Sequence, residues 1–254
     1  MNTVAVIPAR MGASRFPDKP MALLLDMPMI GHCYHRTCLA LGVSNVYVAT
    51  CDQVISDYIE SIGGQVVMTS PLHDRASTRT AEAIEIIENA GQKKIDIAVM
   101  VQGDEPIVSP DVIKSTLPHF HDKAVQIVNI MSEIVQKDIF YDRNNVKVVF
   151  DQQHNALYFS REPIPSPWKG WEQLPRYMQT GIIAFRRDAL IHFNNTPETG
   201  LEKYESVDMN RILETGGSIR MVATSDFTLG VDTKEELELA EKFLRTDMFV
   251  QRYI

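Results

Sequence analysis

The chain has 254 residues, with 33 Asp and Glu against 25 Lys and Arg, for a formal net charge of −8 at pH 7. Hydrophobic residues make up 44% and charged residues 23%, which is globular composition and excludes a disordered or fibrous chain. The acidic surplus argues against nucleic acid or an anionic membrane face as the main partner, although it permits a local basic pocket.

A chain of this length can bury a sizeable core. It contains no run of about 18 apolar residues, so no transmembrane helix is expected. Residues 1–10 are interrupted by Pro8 and lack a basic leader, unlike a secretion signal. Cys33, Cys38 and Cys51 fit neither a disulfide framework nor a zinc pattern, and read as small buried thiols in a reducing cytoplasm.

In chain order, Val- and Ile-rich runs at 3–7 (TVAVI), 45–49 (NVYVA), 65–68 (QVVM) and 95–101 (IDIAVMV) predict buried strands. Between them, 28–41, 52–62 and 77–90 read as helices. Gly42, Gly63-Gly64 and Gly91 stand at their C-terminal ends, and Asp52 is a candidate N-cap. This alternation predicts a parallel sheet covered on both faces, with ligands at the carboxyl ends of its strands. The second half is more mixed. Strands are expected at 125–131, 146–150 and 156–159, the last two forming a hairpin across the polar 151–155. A strand at 182–185, helices at 187–193 and 201–214, a strand at 218–223 and a helix at 233–245 complete the pattern. Thr233 and Glu236 form a capping box at the head of the last helix. No linker or repeat interrupts the chain, which reads as one domain, and the proline-rich 163–175 is the candidate mobile loop.

Three loops carry residues suited to chemistry. Arg10, Arg15 and Lys19 place three cations after the first strand, and the small Gly12, Ala13 and Ser14 let backbone N–H groups approach a ligand. Such a loop suits a polyphosphate, though it has neither Walker A nor dinucleotide-loop spacing. Gln102-Gly103-Asp104-Glu105-Pro106 follows the fourth strand, where a carboxylate either holds Mg²⁺ against substrate phosphates or caps the loop. In Gly230-Val231-Asp232-Thr233, Asp232 is either an N-cap or a second metal carboxylate.

Taken together, Ile7-Pro8-Ala9-Arg10, Ser14-Arg15-Phe16-Pro17 with Lys19-Pro20, Gln102 to Pro106, Asn145 to Val149, Tyr158 to Arg161 with Ile164-Pro165, and Gly230 to Thr233 resemble the CMP-Kdo synthetases, the 3-deoxy-manno-octulosonate cytidylyltransferases. The likeness runs from the first strand to the last helix. It implies an α/β, Rossmann-like nucleotidyltransferase with a mostly parallel central sheet and an added mixed-strand region for dimerisation and sugar binding. Residues 1–120 would form the nucleotide-binding half, 121–230 the elaboration and 231–254 the closing helix. The implied reaction is Mg²⁺-dependent transfer of CMP from CTP to an ulosonic sugar acid, by a cytoplasmic homodimer serving lipopolysaccharide or capsule synthesis. The implied nucleotide residues are Ala9, Arg10, Arg15, Lys19, His73, Ser77 and Arg79. Asp104 and Asp232 would hold Mg²⁺, and with Arg10 and Lys19 form the catalytic set. Arg15, Gln102, Arg161, Gln179, Ile183, Asp208 and Met209 would face the sugar.

The chain also departs from the family. Asp18 replaces a glycine beside Lys19, and Asp74 to Thr78 (DRAST) differs from the family's segment between His73 and Arg79. If Ala76 needed the family glycine's positive φ, it would cost roughly 1–2 kcal/mol. Gln179 and Ile183 replace a His and a Tyr, while Asp208 and Met209 replace a Glu and a Gln. These changes suggest an altered acid such as 8-amino-8-deoxy-Kdo, or repacking around Kdo itself. A different nonulosonic acid, a CTP-binding homologue without activity, and a nicotinamide oxidoreductase lacking the usual glycine loop are the competing readings. His32, His35, Trp168 and Trp171 read as packing residues, and the methionines as core filler.

Overall fold

Four apolar runs become the parallel heart of one sheet in the computed structural model, which describes residues 1–12, 16–91 and 93–254. They are β1 (Thr3–Pro8), β4 (Val46–Thr50), β5 (Gln65–Met68) and β6 (Ile97–Val101), following the short ribbon β2 (Leu23–Leu24) and β3 (Met27–Pro28) between β1 and β4. Ala5 pairs in parallel with both Val46 and Val99, which puts β1 in the middle of this half. Helices α1 (Met29–Leu41), α2 (Gln53–Ser61) and α3 (Ala76–Asn89) make the crossovers, and α4 (Pro110–Ser115) follows β6. Gly42, Gly63 and Gly91 have φ of 82°, 76° and 87°, positive values that glycine adopts at a helix end without Cβ strain.

The second half adds β7 (Ile127–Glu133), α5 (Lys137–Tyr141), the hairpin β8 (Lys147–Phe150) and β9 (Ala156–Ser160), and β10 (Tyr177–Arg186). Then come α6 (Arg187–Asn195), α7 (Gly200–Glu205), α8 (Met209–Glu214), β11 (Arg220–Thr224) and α9 (Lys234–Leu244). The sheet order is β11-β7-β10-β6-β1-β4-β5, with β10 antiparallel to both its neighbours.

Alternate residues of each strand feed opposite cores. Val4, Val6, Ala98, Met100, Ile183 and Phe185 meet α3 and α6 on one face, while Ala5, Ile7, Val99, Val101, Ile182 and Ala184 meet α1 and α2 on the other. A smaller cluster, including Leu24, Val231 and Leu244, seats α9.

Three local expectations change. The helix expected over 201–214 is broken into α7 and α8 at Ser206, which is left-handed with φ 51°. Arg211 of α8 folds back onto Glu202 of α7 with two contacts of 2.6 Å, both side chains buried, so the break is held by a bidentate pair. The strand expected at 182–185 extends back to Tyr177, because Tyr177 and Met178 pair with Val148 and Lys147 of the hairpin. Asp52 occupies the N-cap position of α2, but its carboxylate accepts the Met11 N–H at 2.8 Å instead of capping the helix.

Candidate active site

The loops after β1 and β6 converge with the segment entering α9. Lys19 stands in a short 3-10 turn (Lys19–Met21), preceded by Asp18 with φ 57°. Its buried Nζ donates to Asp104 Oδ2 at 2.8 Å and to Asp232 Oδ1 at 2.9 Å. Burial works against the Lys19 charge, but Asp104 and then Asp232 outweigh it and hold the ammonium above its ordinary pKa. Asp104 is brought in by Gly103, where a Cβ would lie 3.0 Å from the Pro8 carbonyl oxygen and 3.1 Å from Ile30. Asp232 is not the N-cap of α9. Thr233 fills that position in the expected capping box with Glu236, which leaves the Asp232 carboxylate for Lys19.

On one side of this junction lies a cleft of about 370 Å³ lined by Ala9, Arg10, Lys19, His73, Arg75 and Arg79, among others. Arg79 is buried at the head of α3 and donates to Thr69 Oγ1 at 2.6 Å. Arg10 is exposed, donates to the His73 carbonyl at 3.3 Å and pairs with Asp74 at 3.6 Å. The His73 ring is fixed by Glu82 on Nε2 at 2.6 Å and Thr78 on Nδ1 at 3.0 Å. Arg75 lines the same cleft while donating to the Ser206 hydroxyl at 3.0 Å. Ala76 simply opens α3, outside the left-handed region, so the glycine it replaces is not missed. A cleft with this many cations and one exposed backbone loop can hold a polyphosphate.

On the other side lies a cavity of about 880 Å³ between the ends of β6, β10, β7 and β11. The two spaces share Gln102, Asp104 and Asp232. Gln179 lines the second cavity, and its buried Oε1 has no hydrogen-bond partner among the described residues.

The remaining sugar-side expectations, and Ser77 from the nucleotide side, are placed elsewhere. Ile183 and Met209 lie in the core, because β10 alternation turns Ile183 towards α3 and the first turn of α8 buries Met209 beside it. Asp208 and the buried Ser77 bond to each other, Ser77 Oγ donating, and tie α3 to α8 away from both spaces. Arg161 lines neither space. Its guanidinium donates to the carbonyls of Arg143, Glu205 and Ser206 and so holds the α7–α8 corner. Arg15 lies outside the described residues.

Two residues carry more than their sequence context suggested. Glu105 is 5% exposed, accepts the Gly181 N–H at 2.8 Å on Oε1, and has no partner for Oε2 among the described residues. Burial, with Asp104 adding, pushes its carboxyl up to about 7. The approach depends on Gly181, where a Cβ would lie 3.0 Å from that Oε1. Lys147 is fully buried and donates to the carbonyls of Asp142, Asn145 and Arg161. Lys147 falls in the Asn145 to Val149 segment that carries the resemblance, but a lysine inside a Val-rich strand gives no sign of the carbonyls that its ammonium will meet.

Trp171 packs on Arg176, with 4.0 Å from the guanidinium to the ring centroid, and edge-on against Phe140, whereas Trp168 is 90% exposed. Of the cysteines, Cys33 is buried, and its thiol is pushed well up by desolvation, as an inert core thiol should be.

A divalent cation fits the Asp104–Asp232 pair. Both carboxylates already reach a single ammonium, and no described group of three or more His, Cys, Asp or Glu is arranged to hold a metal. Two carboxylates completed by phosphate and water is the donor set of Mg²⁺.

Comparisons with known proteins point to a single family. The cytidylyltransferase family model matches residues 4–221. The 3-deoxy-manno-octulosonate cytidylyltransferase of Thermodesulfovibrio yellowstonii is 38% identical, covering 97% of this chain and 99% of that protein. The 8-amino-3,8-dideoxy-manno-octulosonate cytidylyltransferase of Shewanella baltica (strain OS185) is 37% identical, covering 97% of this chain and 100% of that protein. Among solved structures, CMP:2-keto-3-deoxy-manno-octonic acid synthetase complexed with CTP superposes with a TM-score of 0.86 at 33% identity, covering 96% of this chain and 99% of that one.

Proposed function

We propose a reaction from the premise that this chain belongs to the cytidylyltransferase family: it transfers CMP from CTP to a 3-deoxy-2-ulosonic acid, Kdo or an amino-modified Kdo, and releases pyrophosphate. The observation that carries this reading is the shared wall of the two spaces. Asp104 and Asp232 meet on Lys19 where a cationic cleft opens into a separate cavity, as two substrates reacting at one phosphorus require.

In this reading the triphosphate lies among Arg10, Lys19 and Arg79, with Ala9 and His73 beside the nucleoside. The acceptor occupies the second cavity against Gln102 and Gln179. Asp104 and Asp232 would hold Mg²⁺, which when bound neutralises phosphate charge and polarises the attacking hydroxyl. The anomeric oxygen forms its bond to the α-phosphorus as the bond to the α,β-bridging oxygen breaks, pyrophosphate leaving with that electron pair and the hydroxyl proton passing to solvent. Lys19 screens the two carboxylates from each other and offers its remaining N–H to the phosphates. No separate histidine base is needed.

Residues 1–120 would serve the nucleotide and 121–230 the acceptor and a homodimer contact, with 231–254 supplying Asp232 and the closing helix. No helix of the described residues is long and apolar enough to cross a membrane, consistent with a cytoplasmic enzyme supplying lipopolysaccharide or capsule synthesis. The test is pyrophosphate release from a panel of nucleoside triphosphates with Kdo or its 8-amino form, with and without Mg²⁺. Release with CTP and Mg²⁺ supports the reading. Thermal protection by CTP with no pyrophosphate from either acid would contradict it.

A further inference from the structure

The segment between β5 and α3 forms an end of the nucleotide-side cleft remote from Asp104. Asp104 follows β6 and residues 69–75 follow β5, three strands away in the sheet and about 14 Å at the usual strand spacing. His73, Asp74, Arg75 and Ala76 line the cleft there. With the reacting phosphorus at Asp104 and the triphosphate beside Arg10 and Lys19, this end receives the base.

The polar side chains of this segment are committed within the protein, with one exception. The His73 ring is held by Thr78 and Glu82, and Asp74 pairs with Arg10. Ser77 Oγ donates to Asp208, and Thr78 Oγ1 donates to the Arg75 carbonyl at 3.0 Å. Arg79 is buried and directs its guanidinium to Thr69 Oγ1 and to the carbonyls of Ser70 and His73. The exception is Arg75. Among the described residues only its Nη1 is engaged, which leaves the Nε–Nη2 edge for a ligand.

Arg75 is half-buried and held in place. Its Nη1 donates to the Ser206 hydroxyl at 3.0 Å and to the Ser206 carbonyl at 3.3 Å. Ser206 is the left-handed residue at the α7–α8 break, and the same carbonyl accepts from Arg161 at 3.3 Å. A guanidinium fixed at one nitrogen has given up rotamer freedom before any ligand arrives. Arginine here also falls in the stretch where the chain departs from the family, so the resemblance does not supply its role.

We infer that Arg75 selects the nucleobase, its Nε and Nη2 donating side by side to O2 and N3 of cytosine while Nη1 stays on Ser206. This edge can only donate, so it matches two adjacent acceptors. Uracil carries a hydrogen on N3, and that N3–H would meet an N–H of the guanidinium. The inference adds a specificity-determining residue to the transfer reaction proposed above and rests on that reading for the placement of the nucleotide.

The test is calorimetric binding of CTP, UTP and inorganic tripolyphosphate, with Mg²⁺ and without acceptor, to the wild type, Arg75→Ala and Arg75→Lys. The wild type is expected to bind CTP at least about tenfold more tightly than UTP. Both variants should bring that ratio to within about threefold by weakening CTP alone, because lysine keeps the charge but not the paired donors. Unchanged affinity for UTP and tripolyphosphate shows that the cleft remains folded in the variants. A wild-type ratio below about tenfold, or a ratio that stays above about tenfold in the variants, overturns the inference. So does a parallel loss of CTP, UTP and tripolyphosphate in Arg75→Ala that Arg75→Lys restores, which assigns the residue to phosphate charge. Each of these outcomes leaves CMP transfer standing, whereas a wild type that binds no CTP overturns both.

Discussion

Val231 donates its backbone N–H to the carbonyl of Asp104 at 2.9 Å, joining the loop after β6 to the segment that enters α9. This main-chain bond brings together the two side chains that flank it, Asp104 and Asp232, and both reach the ammonium of Lys19. Lys19 is the counterion that makes the arrangement tolerable without metal.

Removing that counterion should be costly only when no metal replaces it. Lys19→Met is expected to lower the melting temperature in EDTA and to show a larger stabilisation by Mg²⁺ than the wild type, with strongly reduced turnover. The raised Lys19 pKa gives a pH signature. Its stabilisation is fully present below 10.5 and is lost as pH rises through the higher folded value, so the variant and wild type should converge at strongly alkaline pH. A variant as stable in EDTA as the wild type at neutral pH would contradict this role.

Asp18 sits in the left-handed region immediately before Lys19, with φ 57° and ψ 18°. Glycine adopts this conformation without strain, while alanine lacks even the local hydrogen bonding available to aspartate. Asp18→Gly should leave chemical-denaturation stability unchanged or raise it by up to about 0.5 kcal/mol, and Asp18→Ala should lower it by about 1 kcal/mol. Equal effects of the two substitutions would show that this backbone conformation is not what constrains the position.

The far end of α9 is anchored by a buried ion pair. Arg36 of α1 reaches Asp247 at 2.8 Å and 3.3 Å and also donates to the carbonyls of Val108 and Ile107, so it grips the C-terminal segment and the loop beyond Asp104 together. Its side chain is 1% exposed and that of Asp247 7%. Arg36→Met would strand a buried carboxylate and two carbonyls, at a cost of about 3–5 kcal/mol in urea unfolding. A loss within experimental error would mean that the pair is dispensable to the packing of α9.

How much of this was readable in advance depended on the residue. The strands β1, β4, β5 and β6 were legible because buried parallel strands are continuous Val and Ile runs, and the helix ends because glycine marks them. The break at Ser206 was invisible, since a left-handed serine has no compositional signal and the pair that holds it, Arg211 with Glu202, looks like an ordinary surface couple in sequence. The cationic cleft was legible from Arg10 and Lys19 in the loop after β1, and from Arg79 of α3 only through the family resemblance. The sugar side was not. Whether Ile183 faces a cavity or a core is decided by one step of strand alternation, and whether Arg161 faces a ligand or the carbonyls of a broken helix depends on that break.

Glu205, at the end of α7, links this corner to β9. Its carboxylate accepts from Tyr158 and Ser160 hydroxyls and from the Arg161 N–H, each at 2.8 Å. Desolvation alone would raise its pKa, but the Arg161 N–H and then the two hydroxyls outweigh it and hold it below 4.5. Its stabilisation is therefore present above 4.5 and lost as pH falls through the lower folded value. Amide exchange in β9 and α7 should accelerate in that acid range in the wild type, and already at neutral pH in Glu205→Gln. Unchanged exchange in both would contradict this link.

The most direct test of the site is the rate of Mg²⁺-dependent pyrophosphate release from CTP and a 3-deoxy-2-ulosonic acid by Asp232→Asn. Asp232 lies outside the loop that carries Asp104 and reaches the junction only through the fold, so its contribution isolates the claim that two cavities share one catalytic wall. The expected result is a folded variant that still binds CTP but turns over at least about 10²-fold more slowly. Turnover within about threefold of the wild type would contradict the assignment of the reaction to this junction.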